Sequence, residues 1–126
     1  MNQPRPEKNK TFKRSAHFAW EGVKTAYREE RNFRFHISMT VIVFLGSLAF
    51  DFSPSDYKWL LIAVFVVIAS EILNTIIENL VDLVIDEYHP LAKKVKDMSA
   101  GIVLISAVFS FIIGLLLFVP KIMTYF

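Results

Sequence analysis

An apolar run at positions 60–69, LLIAVFVVIA, passes without any turn signal into SEILNTIIENLVDLVID at 70–86. This junction limits the fold more than any other stretch. At about 100° per helical residue, Glu71, Asn74, Glu78 and Asp82 fall near roughly 0°, 300°, 340° and 20° on one helix. Three carboxylates and an amide share a narrow stripe, and Ile72, Leu73, Ile76, Ile77, Leu80, Val81 and Val84 cover the rest. Charges in or beside hydrocarbon cost about 3 kcal/mol each on insertion scales, so they tend to be functional. The plainer alternative is a polar seam between helices of one bundle. Like charges in such a seam repel unless a cation or a proton intervenes.

The surrounding composition places that helix in lipid. Of 126 residues, 54% are hydrophobic and 12 are Phe, more than a soluble domain of this length needs. The excess lies in three segments, each near bilayer length: 33–50, 59–81 and 99–119. The expected fold class is all-α integral membrane, an N-terminal amphipathic surface helix followed by three transmembrane helices. The chain reads as a flexible tail (1–9) and a single membrane domain (10–126). With no cysteine there is no disulfide framework, thiolate metal site or Cys nucleophile. No cleavable signal peptide is expected, because the N-terminus is polar and lacks an early apolar core. With a net charge of only +2, no nucleic-acid partner is expected.

Positions 10–31 carry Phe12, Ala16, Ala19, Trp20, Val23 and Tyr27 at spacings of three and four, with Lys13, Arg14, Lys24 and Arg28 off that face. A cationic amphipathic helix with aromatic residues on its apolar side suits the bilayer interface. At the start of the first span, Arg34 is expected to snorkel outward. Ser53 or Ser55 is expected to cap the second span. Positions 87–98 read as a charged connector broken at His89-Pro90, and Pro120-Lys121 as the end of the third span. Basic residues cluster before the first span and at Lys93, Lys94 and Lys96. That asymmetry predicts a cytoplasmic N-terminus and second loop, an external C-terminus, and the carboxylate stripe on the cytoplasmic side.

Carboxylates with an amide suit Mg²⁺, nearby lysines suit phosphate oxygens, and a desolvated carboxylate suits a general base. Together these are the parts of phosphoryl transfer. No glycine-rich phosphate loop accompanies them. Two other readings of the same residues are a small oligomeric cation channel or transporter subunit and a purely structural membrane adaptor.

EILNTIIENLVD at 71–82, followed by EYHPLAKKVKDMSAG at 87–101, closely resembles the signature of the prokaryotic diacylglycerol kinase family. Trp20, Gly22, Ala26 and Tyr27 match its Trp-x-Gly-x-x-x-Ala-aromatic pattern, and Glu30, Phe33 and Arg34 its Glu-x-x-Phe-Arg pattern. The likeness runs from about Phe12 to the end of the third span. It implies a homotrimer with shared sites, in the bacterial cytoplasmic membrane, transferring the γ-phosphate of ATP with Mg²⁺ to a lipid hydroxyl. By the same resemblance Glu71 is the general base, and Glu30 and Glu78 hold the metal. The nucleotide side comprises Phe18, Glu30, Asn74, Glu78, Glu87, Tyr88, His89, Lys96 and Asp97. The lipid side comprises Trp20, Lys24, Phe33, Arg34, Glu71 and Ala100. Thr11 stands where relatives often carry an Arg. The family divides into diacylglycerol and undecaprenol kinases, and Asn79-Leu80 with Asp82-Leu83 looks more like the undecaprenol type. His36 is left without a role and is expected to be hydrogen-bonded structurally. Asp82 also has no firm role.

Overall fold

The computed structural model describes residues 11–126; the tail assigned to 1–9 lies outside them. The described chain is entirely helical: α1 (Phe12–Glu29), α2 (Arg31–Ser47), α3 (Pro54–Val84) and α4 (Pro90–Tyr125). The Thr11 hydroxyl caps α1 by accepting from the Arg14 amide. The apolar face of α1 is exposed at Phe12, Phe18, Trp20, Val23 and Tyr27, as an interfacial helix requires. A single extended residue, Glu30, ends α1 and begins α2.

Helices α3 and α4 are long and apolar enough to cross a membrane. At about 1.5 Å per residue they reach roughly 46 and 54 Å, well beyond the ~30 Å of hydrocarbon. Their surplus turns carry the charged ends out of the lipid. Helix α2 has 17 residues, is roughly 25 Å long, and does not meet the same criterion.

Ser53, rather than Ser55, starts α3 through a reciprocal capping box with Asp56, with Pro54 in the first turn. Helix α3 packs along α4, and more briefly on α2. The buried centre is Leu60, Ala63, Ile113 and Leu117, flanked by Val43, Phe44, Phe52, Tyr57 and Phe118. Ser110 Oγ donates to the Ala63 carbonyl across the α3–α4 seam at 2.8 Å. Much of the remaining α3 and α4 surface is large and apolar, including Leu61, Phe65, Leu104, Phe111 and Leu116. A soluble monomer does not expose apolar surface on this scale; a membrane protein does.

Three expectations are corrected. The connector assigned to 87–98 is helical from Pro90 onward, leaving only a short non-helical link after Val84. Proline is well suited to the first turn, where its missing N–H has no intrahelical role, and the His89 ring accepts from the Leu91 amide as the cap. Pro120 does not end α4, which continues to Tyr125. The last turn is held by Lys121, bound to Asp56 at 2.9 Å and to the Asp51 carbonyl at 2.9 Å, and by the Tyr125–Phe50 edge contact. Arg34 does not snorkel outward. Its Nη1 turns back to donate to the carbonyls of Tyr27 and Arg28 at 2.9 and 2.8 Å, satisfying acceptors left open at the end of α1.

Candidate functional site

Successive interactions mark one edge of α3 from its charged end inward. Near that end, Asp82 binds Lys96 of α4. Deeper, Ser99 Oγ donates to Asn74 Oδ1 at 2.7 Å. Ser99 is only 2% exposed, so this bond anchors the Asn74 amide to α4 in a water-poor seam. Deeper still, Glu71 is 4% exposed and its Oε1 lies 3.0 Å from His36 Nε2 of α2. From Asp82 to Glu71 the stripe climbs roughly 16 Å along the helix.

Glu71 is a carboxylate buried on a membrane helix, with Glu78 about two turns further along the same helix. Helix α3 is unbroken through Glu71 and Glu78, so the periodicity that put them on one face holds, while Glu30 sits at the break between α1 and α2. As the residue before α2, Glu30 makes no side-chain capping bond, which leaves its carboxylate free for other partners. Both Glu30 and Glu78 are half-buried.

No three metal-ligating side chains converge among the described residues. Mg²⁺ needs no such cage, because it is usually held by one or two carboxylates plus substrate phosphates and water. Glu30 and Glu78 are carboxylates, the donor type Mg²⁺ prefers.

Glu87, Tyr88, His89, Lys96 and Asp97 line a cleft of about 450 Å³ at the charged end of α3 and α4. Within it Lys93 pairs with Asp97 one turn away. Phe18 does not line this cleft; it lies with Lys13, Arg14 and His17 on α1. Trp20, Lys24 and Phe33 gather in a separate cleft of about 520 Å³ between α1 and α2, with Phe33 almost fully buried. Arg34 and Ala100 line neither cleft. Arg34 is occupied by the α1 carbonyls and Ala100 is exposed on α4. Sequence reasoning gave no role to three residues that the fold ties to the stripe: His36, Asp82 and Ser99. The Asp82 charge was a visible signal. Ser99 falls inside the matched 87–101 stretch, but nothing in that stretch assigns it a partner.

Carboxylates along one edge of a long membrane helix, with a cleft at its end lined by both acids and lysines, supply the parts that a membrane-embedded phosphotransferase requires. The prokaryotic diacylglycerol kinase family model matches residues 17–118. An undecaprenol kinase of Bacillus subtilis is 41% identical over 93% of this chain and 94% of its own length. A diacylglycerol kinase of Synechocystis sp. is 35% identical over 87% of this chain and 63% of its own. One of Helicobacter pylori is 37% identical over 82% of this chain and 84% of its own. The chain belongs to the prokaryotic diacylglycerol kinase family. It is a membrane lipid kinase that uses ATP.

Proposed function

We propose that this protein phosphorylates the primary hydroxyl of undecaprenol at the cytoplasmic face of a bacterial membrane, with Glu71 as general base. The observation that carries the catalytic reading is Glu71 itself, a nearly sealed carboxylate in a membrane helix, on the same face as Glu78 about two turns away. The choice of acceptor is supported by the 41% identity to an undecaprenol kinase along nearly the whole chain.

The lipid hydroxyl would meet Glu71 at the depth where apolar surface gives way to the stripe. Burial keeps water from competing for that carboxylate. Glu30 and Glu78 would hold Mg²⁺, whose charge neutralises the nucleotide phosphates. Asn74, fixed by Ser99, and Lys96, oriented by Asp82, would border the phosphates, with Glu87, Tyr88 and His89 on the adenine and ribose side. Trp20, Lys24 and Phe33 would form the lipid side.

Residues 10–126 act as one unit. Helix α2 would form a third, short span with local thinning or tilt; its exposed Val41, Ile42 and Leu45 favour lipid contact. The basic residues of α1 and of the start of α4 would lie in the cytoplasm and the C-terminus outside. A homotrimer would cover the apolar faces of α3 and α4. In a homotrimer with shared sites, Phe18, which lies outside this chain's own nucleotide cleft, would serve the cleft of a neighbouring subunit.

The decisive assay uses purified protein in detergent with Mg²⁺ and labelled ATP, offered undecaprenol and diacylglycerol in parallel. The expected result is a higher kcat/KM for undecaprenol; a preference for diacylglycerol overturns the acceptor assignment. Ser99→Ala should raise the KM for ATP by roughly two- to tenfold through the freed Asn74 amide, the scale of one net hydrogen bond. Steady-state kinetics checks this, and the KM for lipid should not move.

A further inference from the structure

We propose that His36 is a positioning residue for the phosphoryl-transfer base, holding Glu71 by one oxygen so that the other meets the acceptor hydroxyl. The proposal rests on the reading of Glu71 as that base. Three observations carry it. His36 Nε2 lies 3.0 Å from Glu71 Oε1, so an N–H there donates to the carboxylate. Among the described residues the Glu71 carboxylate makes no other side-chain bond; the Thr75 hydroxyl binds the Glu71 backbone carbonyl instead. No fully sealed side-chain oxygen or nitrogen among the described residues lacks a partner, so Oε2, which makes no hydrogen bond within the chain, is not completely enclosed. The carboxylate is held on one side, and its second oxygen has no partner among the described residues.

The surroundings make this bond matter. His36 stands at the edge of an apolar cleft of about 350 Å³ between α2, α3 and α4, lined by Met39, Val43, Ala63 and Val67 among others. In such a low-dielectric setting a charge-assisted hydrogen bond is stronger, and a carboxylate without one is costly and free to rotate. The Phe35 ring meets the imidazole edge-on, with centroids 5.5 Å apart, which limits the ring's freedom. His36 comes from α2 and Glu71 from α3, and these two helices touch over a much shorter length than α3 and α4. The bond therefore also sets where α2 places its end of the site relative to the base.

The test compares His36→Phe, which removes the donor, with His36→Gln, which keeps an N–H. Both are assayed in the full-length detergent-solubilised protein beside Glu71→Gln. His36→Phe should lower kcat about tenfold or more while leaving the KM values for ATP and lipid nearly unchanged. His36→Gln should recover most of that loss. An unchanged kcat in His36→Phe overturns the proposal. So does a loss confined to KM, or a His36→Gln variant as impaired as His36→Phe. Elution profile and thermal transition identify folded variants; if His36→Phe misfolds, the smaller His36→Leu replaces it, and if neither folds the role is structural and the proposal falls. An active Glu71→Gln would instead overturn the base assignment itself, so the two failures are distinguishable.

Discussion

Glu71→Gln is expected to reduce kcat by roughly 10²- to 10⁴-fold, the range attributable to a general base. Glutamine matches glutamate in shape, and its amide oxygen can still accept from His36 Nε2, so packing around position 71 should persist. What it lacks is the ability to take the acceptor proton as phosphoryl transfer proceeds. The loss should fall on kcat, with the KM for ATP and for lipid little altered, because an interaction made only in the transition state is removed. Label transfer from ATP to lipid measures it, and an unchanged thermal transition in detergent shows that the fold survives. Glu71→Asp keeps a carboxylate but draws it back by one methylene from both His36 and the hydroxyl, so its activity should lie between wild type and Glu71→Gln. Near-normal turnover by Glu71→Gln would remove Glu71 from the mechanism.

Glu78→Ala is the second large effect. If Glu78 and Glu30 together hold the metal, alanine leaves one carboxylate, and activity at ordinary Mg²⁺ should fall by at least about a hundredfold, equivalent to a few kcal/mol of charge stabilisation. The distinguishing measurement is a Mg²⁺ titration of activity. The half-saturating concentration should rise sharply, and excess Mg²⁺ should recover part of the rate, which it cannot do for Glu71→Gln. A titration curve that overlays wild type would show that Glu78 does not hold the metal. Glu78 is half-buried rather than sealed, so its removal leaves no large apolar void and a folded variant is expected.

The helices and the stripe were legible because both are local consequences of periodicity. The Phe12 to Tyr27 pattern marked α1 to within a few residues, and the run from Leu60 into Glu71 marked α3 without a break. The ends were harder to read. Charge between 87 and 98 suggested a loop, yet Lys93, Val95, Lys96 and Asp97 are compatible with helix once Pro90 and the His89 cap begin one. Pro120 suggested a stop, but the Lys121 contacts to Asp51 and Asp56 retain the turn beyond it. Arg34 suggested a snorkelling cation because its partners are backbone carbonyls, and no side-chain pattern announces those.

The sequence by itself determined that this chain is a membrane protein of long helices with carboxylates on one narrow face. Hydropathy and the 3.6-residue repeat act within a segment and need no distant partner. Only the tertiary structure decided what each polar group is bound to. Ser99 orients Asn74 from 25 residues away, Lys96 holds Asp82 from the facing helix, and His36 reaches Glu71 across the α2–α3 contact. Those pairings depend on the relative rotation and register of packed helices, which no single helix encodes. A buried polar group must find its partner wherever the packing brings one within about 3 Å.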